Sequence, residues 1–411
     1  MNIIFLGLCF SESERFIQME RTKCGLQSAP NNFQWALFNS LNQIIDKTND
    51  KFYLLYAQPL GTYPKNHKDL IISPSEWKEG VINARSVGYI NLPFIKSWCI
   101  QNKVKNELRK IINSLKGETI VITYNLYRPF LQSVYKLKEE GLDFKIVNIV
   151  LDMTLNLGKV SKNIIRRIYD NFEERGTLDL KNTDGFILLT EEMKYPLNVG
   201  KRPYLVMEGL VDFTLMDKYA NDSNPSNYIL YSGALDYPYG IADLIEAFIL
   251  YKEINTDSDI ELWICGNGNM TNIIKEYSAK YPFIIYKGFV PREEALTIQS
   301  KSYFLINPRP NVGEYVKYSF PSKTLEYMAL GKVVLMHRLS GLPIEYDKYL
   351  FYFNSYDKED MAMAIERIIN KGKDELKRLG KLNRDFALNQ KNAITQTNRV
   401  INFLRQLTNE E

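Results

Sequence analysis

Three observations in the sequence predict an α/β protein of two domains, each built on a mostly parallel sheet. Short apolar segments alternate with helical segments along most of the 411 residues, an alternation typical of parallel sheets. A polar segment at 219–227, rich in Asn, Asp, Ser and Pro, interrupts it and has the composition of a linker. The chain also exceeds the usual size of one domain. We therefore expect domains over 1–208 and 209–390, facing one another across a cleft.

Composition indicates a soluble globular protein. Apolar residues make up 45% and charged residues 24% of the chain, and the net charge of +4 does not suggest a nucleic-acid binder. The four cysteines form no C-x-x-C pair, so we expect them to be reduced and the protein to be cytoplasmic. With only His67 and His337, a His-rich metal cluster is excluded. The first residues read as a strand and not as a signal peptide, and no apolar run reaches the roughly 18–20 residues of a membrane span.

The first half is predicted to be one β/α series. Apolar runs predict strands at Asn2–Leu6, Lys51–Ala57, Glu118–Thr123, Phe144–Leu151, Asp184–Thr190 and Tyr204–Met207. Helical spacing predicts helices that begin at Ser28 and that cover Pro93–Leu115, about Tyr127–Glu140 and Asn163–Arg175. The segment 11–27 is a polar stretch in which no helix or strand is predicted. Basic faces at 96–110 and 159–167 are expected to be solvated, with contact to anionic lipid as the alternative.

Asp152 ends the most apolar strand of the first half. Open α/β sheets bind ligands beyond the carboxyl ends of their strands, so this carboxylate could orient or deprotonate an acceptor hydroxyl. An aspartate that caps a helix or a turn would occupy the same position. The spacing favours neither alternative.

The second half repeats the alternation. Its predicted strands and helices include Tyr228–Ser232, Gly240–Ile254, Ile260–Cys265, Met270–Lys280, Phe283–Lys287 and Arg292–Lys301. After the first strand, a phosphate could approach the bare backbone of Gly233, although a plain turn fits equally well. Gly266 begins a Gly-x-Gly turn that lacks the third glycine of a dinucleotide fingerprint, and a tight turn lining a nucleotide cleft is the better interpretation.

The stretch 303–336 carries the densest set of candidate binding residues. A strand is followed by a cationic loop, and Pro321 begins a helix that Gly331 ends. A cationic loop that leads to a helix N-terminus is a typical anion-binding arrangement. Glu326 could accept hydrogen bonds from two ribose hydroxyls, whereas an ordinary crossover with a solvated loop is the alternative. The loop cations are Arg309, Lys317 and Lys323.

Four motifs of the second half resemble the glycosyltransferase family 4 type of GT-B enzyme, especially bacterial transferases that build capsule, exopolysaccharide or O-antigen repeats. The motifs are YSGALDYPYGIADLIEAF, LWICGNGN, KGFVPREEAL and SFPSKTLEYMALGKVV. The first half is similar only in topology and in FLG near its start. The resemblance implies two Rossmann-like domains, a sugar nucleotide held mainly by the second, an acceptor held mainly by the first, and a final helix at about 391–411 that crosses back to the first. It also implies a retaining transfer without a bound metal or cofactor.

The resemblance implies roles for particular residues. Glu326 corresponds to the ribose-binding glutamate and Gly233 to the turn glycine beneath the phosphates. The remaining donor-site residues are Ser322, Thr324 and Leu325 at the pyrophosphate, and Phe289 and Val290 near the base.

The sequence departs from that family at three positions. Tyr318 stands where the first glutamate of the family's pair is expected, and Ala234 and Tyr239 stand where basic residues are usual. The cations that neutralise a leaving diphosphate are therefore missing from their usual positions. We expect the loop cations to supply this charge, with Arg309 and Lys323 acting in catalysis.

The sequence thus predicts a cytoplasmic glycosyltransferase that moves a hexose-type sugar from a nucleotide sugar, with UDP expected, to a lipid-linked or glycan acceptor that Asp152 positions. Peripheral contact with the inner membrane surface is a further expectation. Two alternatives stay open. One is a non-catalytic protein that binds a sugar nucleotide or serves as the partner subunit of a transferase, which the three departures favour, and the other is a nucleotide-sugar epimerase on the same fold.

Overall fold

The computed structural model describes residues 1–26, 28–153, 180–220 and 225–408. The chain divides into two compact units, Met1–Leu210 with Ala393–Glu411, and Val211–Asn392. The helix predicted at 163–175 and the basic face predicted at 159–167 lie outside the described residues.

The first unit is organised around an eight-stranded sheet. Its described strands are β1 (Asn2–Leu8), β2 (Lys51–Ala57), β3 (Ile71–Ile72), β4 (Glu76–Glu79), β5 (Ile82–Ser86), β6 (Tyr89–Ile90), β7 (Thr119–Tyr124), β8 (Lys145–Val150), β9 (Gly185–Leu188) and β10 (Tyr204–Val206). The sheet order is β10-β9-β8-β7-β1-β2-β5-β4, and neighbours are parallel except for the β4–β5 pair. Strands β3 and β6 form a separate antiparallel pair. Residues of β1, β7 and β8 are almost all buried, as expected where both faces of a parallel sheet are covered.

Among the described residues before 154, the helices of the first unit are α1 (Glu12–Arg21), α2 (Ser28–Ile45), α3 (Ile95–Ser114) and α4 (Arg128–Glu139). Apolar side chains of α2, α3 and α4 are buried in the core. Leu37 and Phe38 of α2 join Phe5 of β1 and Phe52 of β2 in the core. The rings of Phe5 and Phe38 meet edge to face with 5.0 Å between their centroids, a favourable aromatic geometry.

Helix α1 corrects the interpretation of 11–27 as a polar stretch without a helix. Ser11 begins it with a capping box, because the Glu14 amide donates to Ser11 Oγ at 3.2 Å and the Ser11 amide donates to Glu14 Oε2 at 2.8 Å. Phe16 and Met19 face solvent, at 71% and 62% exposed, whereas Glu14 and Gln18 are buried. The usual apolar-inside pattern is inverted here, so hydrophobic periodicity gave no helix signal.

The second unit is organised around a six-stranded parallel sheet. Its strands are β11 (Tyr228–Ser232), β12 (Glu261–Cys265), β13 (Ile284–Gly288), β14 (Leu305–Asn307), β15 (Val334–Met336) and β16 (Phe351–Tyr352), in the order β13-β12-β11-β14-β15-β16. Its helices are α5 (Phe213–Tyr219), α6 (Ile241–Ile254), α7 (Thr271–Lys280), α8 (Arg292–Lys301), α9 (Ser322–Ala329), α10 (Lys358–Ile369) and α11 (Gly372–Gln390). All strand pairs are parallel, so their carboxyl ends meet at one edge. The predicted α/β class with parallel sheets is confirmed.

The last helix, α12 (Ala393–Thr408), belongs to the first unit. Its residues Phe403 and Leu407 lie against β9, where a Cβ on Gly185 would be 3.0 Å from Leu407 and 3.1 Å from Phe403. A glycine at the start of β9 therefore makes room for this helix. The contact is the one that the resemblance implies for the final segment.

Candidate functional site

Two turns at the carboxyl edge of the second sheet pack backbone against backbone. Gly266 has φ +143°, and a Cβ on it would be 1.9 Å from the carbonyl oxygen of Gly233. The Gly233 amide donates to Cys265 O at 3.0 Å, and the Leu235 amide donates to Asn267 O at 3.1 Å. The structure thus brings the predicted Gly233 and Gly266 together. Because the Gly233 amide is used within the fold, its contribution to a phosphate site is space rather than a hydrogen bond.

Arg309 lies beside Tyr239, one of the positions where the resemblance implies a cation. Its guanidinium carbon is 6.0 Å from the ring centroid of Tyr239 and 5.2 Å from that of Tyr315. One terminal nitrogen donates to Ser319 Oγ at 2.9 Å, while Nε is buried without a hydrogen-bond partner. A Cβ on Gly240 would be 2.3 Å from the carbonyl oxygen of Pro308. Close packing of the chain beside Tyr239 therefore fixes the base of the loop that carries Arg309.

The start of α9 is partly committed to internal hydrogen bonds. The Ser322 amide donates to Phe320 O at 3.0 Å and the Thr324 amide to Pro321 O at 2.8 Å. The Thr324 side chain is buried and its hydroxyl donates to Met336 Sδ at 3.7 Å, and the Leu325 side chain is 2% exposed. The exposed Ser322 hydroxyl is the one of these three side chains that faces solvent. The helix begins directly after Pro321 and is followed by Gly331 at φ +76°, as the sequence predicts.

Glu326 lies between two cations. Its Oε1 is 3.2 Å from Lys323 Nζ, and its Oε2 is 3.8 Å from a terminal nitrogen of Arg292. The Glu326 side chain is 18% exposed, against 47% for Lys323. A carboxylate held in this way is oriented and still reachable by a ligand. Arg292 was missed from the sequence, since no spacing links the start of α8 to α9.

Lys317 and Tyr318 occupy a short 3-10 helix, Glu314–Tyr318, in the loop before α9. Lys317 is exposed and Tyr318 half-buried. The Tyr318 hydroxyl donates to Glu314 Oε1 at 3.4 Å. A carboxylate thus lies at the tip of Tyr318, at the position where the resemblance implies a glutamate.

Phe289 and Val290 directly follow β13 at the same sheet edge. Phe289 is 80% exposed, and Gly288 before it has φ +75°, a conformation that glycine adopts without strain. An exposed ring at a sheet edge offers a flat apolar face to a ligand.

Asp152 belongs to the first unit, whereas the residues described above belong to the second. It is exposed, two residues beyond β8. Burial, with a smaller contribution from the charge of Asp152, raises the pKa of Tyr124. Asp152 lies at the carboxyl edge of the first sheet, because it follows β8 by two residues.

Among the described residues, no helix is long and apolar enough to cross a membrane. Within the same part of the chain, no three His, Cys, Asp or Glu side chains are grouped to hold a metal ion.

Comparison with known proteins identifies a family model and several solved structures to which the chain is similar. Residues 214–386 match the family model described as Glycosyl transferases group 1. A structure described as trehalose-6-phosphate from E. coli bound with UDP-2-fluoro glucose is similar with a TM-score of 0.66 at 12% identity, covering 100% of both chains. The chain has a GT-B fold. The residues that match the group 1 family model lie within its second unit.

Two further structures share the GT-B fold over nearly the whole chain. Sucrose-phosphate synthase from Thermosynechococcus elongatus gives a TM-score of 0.62 at 15% identity and covers 99% of both chains. The α,α-trehalose 6-phosphate synthase from Burkholderia multivorans gives 0.63 at 10% identity, covering 99% of this chain and 96% of that one. Comparison with curated proteins finds no match.

Proposed function

We propose that this GT-B protein is a retaining glycosyltransferase that moves a hexose-type sugar from a UDP-sugar to a lipid-linked or glycan acceptor. The observation that carries the proposal is the position of Arg309, whose guanidinium lies over the ring of Tyr239. A cation is thereby restored beside a position where group 1 transferases usually have one. A leaving diphosphate needs such charge in a water-poor site.

The donor would be held by the second unit. Glu326 accepts hydrogen bonds from the ribose hydroxyls, and Phe289 with Val290 lies against the base. Arg309 and the exposed Lys317 neutralise the diphosphate, while the Ser322 hydroxyl and the start of α9 complete its site. A UDP-sugar is the first donor to test, because one of the similar structures is described as bound with UDP-2-fluoro glucose.

The transfer would proceed at one face of the sugar. The bond between the anomeric carbon and the diphosphate oxygen breaks as the acceptor oxygen forms the new glycosidic bond, and the departing phosphate oxygen takes the acceptor proton. Arg309 stabilises the charge that develops on that oxygen. Asp152 would orient the acceptor hydroxyl from the first unit, and no metal or cofactor is included in this proposal.

Lys323 has a narrower role than the sequence suggested. Its Nζ lies 3.2 Å from Glu326 Oε1, so it holds the ribose-binding carboxylate in the free protein. When the ribose hydroxyls occupy Glu326, the Lys323 ammonium can turn toward the diphosphate. Its catalytic contribution is then coupled to donor binding.

We also propose that the first unit touches the inner membrane surface in a cytoplasmic setting. The basic face of α3 offers limited charge, because Lys105 and Arg109 pair with Glu140. Exposed apolar side chains support membrane contact better than the charges of α3 do. Ile71 and its cross-strand neighbour Ile90 are 68% and 41% exposed, and the exposed Lys68 is close to them in sequence. Flotation with anionic and zwitterionic vesicles tests it, and equal absence of binding to both would contradict it.

The test of the proposed activity is nucleotide release from a panel of UDP- and GDP-sugars, with thermal shift on the same ligands. We expect slow hydrolysis of at least one UDP-sugar and a stabilising shift with UDP. Binding without hydrolysis or transfer would favour the non-catalytic alternative, and the epimeric sugar appearing beside the released nucleotide would favour the epimerase. Neither binding nor hydrolysis with any nucleotide would contradict the proposal.

A further inference from the structure

The hydroxyl of Tyr327 connects two parts of the candidate nucleotide site. Tyr327 follows Glu326 in α9, and it is 1% exposed. Its Oη donates to the main-chain oxygen of Ser232, the last residue of β11, at 2.7 Å. Gly233 comes directly after Ser232. This buried hydrogen bond therefore joins α9, next to the proposed ribose-binding residue Glu326, to the end of β11, next to the turn at Gly233.

The geometry of this bond makes it specific. Buried polar groups need hydrogen-bond partners, and here the Tyr327 hydroxyl is the donor and the Ser232 carbonyl oxygen is the acceptor. The end of β11 is held a second time by Gln299 of α8, whose Nε2 donates to Ser232 Oγ at 3.2 Å. Burial raises the pKa of Tyr327, so its hydroxyl stays protonated and donates wherever the protein is folded. A phenylalanine would fill nearly the same space without joining the two elements.

We propose that Tyr327 is a positioning residue that sets the separation between Glu326 and the Gly233 turn. The inference rests on the proposed function, because it assumes that these two elements hold ribose and diphosphate. A ligand that spans both elements depends on their separation, whereas a ligand that reaches only one does not. UDP is of the first kind and uridine of the second.

The chain contains a matched control at the other end of the same strand. Tyr228 begins β11, is 5% exposed, and its hydroxyl donates to the main-chain oxygen of Ile298 at 2.7 Å. Tyr228→Phe thus removes a bond of the same type and length from the same unit. It leaves the turn after β11 and helix α9 untouched.

The experiment measures dissociation constants for UDP by calorimetry and for uridine by NMR titration in the wild type, Tyr327→Phe and Tyr228→Phe. Both variants are expected to lower Tm by a similar amount, about 2–4 °C. Tyr327→Phe should raise the UDP dissociation constant about tenfold, which corresponds to the free energy of roughly one hydrogen bond. The uridine dissociation constant should stay within about twofold of the wild-type value. Tyr228→Phe should leave both constants within about twofold.

Equal UDP affinity in the two variants would overturn the inference while leaving the proposed function intact. An equal loss for UDP and uridine would also overturn it, because it would show general loosening and not a changed separation. A wild-type protein that binds neither ligand would instead contradict the proposed function.

Discussion

The carboxyl edges of the two parallel sheets use their charged groups in opposite ways. In the first unit, Glu14 is 7% exposed, and its carboxylate accepts hydrogen bonds from Ser11, Tyr56, Gln58 and Ser75. All four donors are groups of the protein itself. A carboxylate saturated in this way fixes the loops around it and is not available to a ligand.

In the second unit the charged groups remain accessible. Glu326 keeps 18% and Lys323 47% of its side-chain exposure, and Arg309 is half-buried with its Nε lacking a hydrogen-bond partner. The difference supports our proposal that the second edge binds a ligand, whereas the hydrogen bonds around Glu14 stabilise the fold. It agrees with the extent of the family match, which covers residues of the second unit alone.

The largest effect is expected from breaking the saturated carboxylate. Glu14→Ala removes the acceptor of the buried Gln58 amide and leaves the Tyr56 hydroxyl only Ser75 Oγ, at 3.2 Å, as an acceptor, so it should lower the free energy of unfolding by about 3–5 kcal/mol. Urea unfolding measures it, with the exposed Glu12 of the same helix replaced by alanine as control. A loss as small as that of Glu12→Ala would mean that the network contributes little.

The next effect concerns the accessible carboxylate. Glu326→Gln keeps the shape of the side chain and removes the charge that we propose accepts hydrogen bonds from the ribose hydroxyls, so UDP affinity should fall about 100-fold while Tm changes little. Calorimetric titration measures it, and Glu246→Gln, at an exposed position on α6, is the control. Unchanged UDP affinity would remove Glu326 from the site.

The buried histidines of the two units predict how the stability of the protein depends on pH. Burial lowers the pKa of His67 in the first unit, and it lowers the pKa of His337 to about 4 in the second. Each ring therefore binds a proton less readily in the folded protein than in the unfolded chain, whose histidines bind protons below about pH 6.5. Stability should therefore fall as pH drops from about 6.5 toward 4.

The His337 contribution can be separated by substitution. Its ring lies 4.8 Å from the ring of Phe353 and 4.6 Å from that of Tyr356, so His337→Phe keeps an aromatic cluster. As pH falls from about 6.5 to 4, the free energy of unfolding of the wild type should decrease by about 1–3 kcal/mol more than that of His337→Phe. A pH-independent difference would contradict the assignment.

The smallest effect is expected at Lys323. Because the free protein pairs it with Glu326, Lys323→Ala loses an exposed ion pair and one diphosphate contact, and should raise the UDP dissociation constant about two- to fivefold. Lys275→Ala, at an exposed position on α7, is the control. A loss as large as that of Glu326→Gln would assign Lys323 a primary role in binding.

Local patterns predicted elements well where apolar residues face inward. Pro321 and Gly331 bracket α9 as the sequence indicates, because each acts through its own backbone. Helix α1 escaped prediction because it buries Glu14 and Gln18 and exposes Phe16. No periodicity rule anticipates a buried polar face that depends on partners from other segments.

The candidate site was predictable in its residue types and not in its contacts. The motifs placed Glu326 and Gly233 at the same sheet edge. The approach of Arg309 to Tyr239, and the Tyr327 bond to Ser232, join positions far apart in sequence. Only the packing of loops after different strands determines which of them meet.

The most direct test of the account is whether a cation returned to position 239 replaces Arg309. Arg309→Ala should reduce UDP affinity and the rate of donor turnover by about 100-fold, and adding Tyr239→Lys should restore most of the UDP affinity. Tyr239→Lys alone is the control. Restoration would show that Arg309 supplies the charge missing from position 239, whereas an unaffected Arg309→Ala, or a double variant as weak as the single one, would contradict the account.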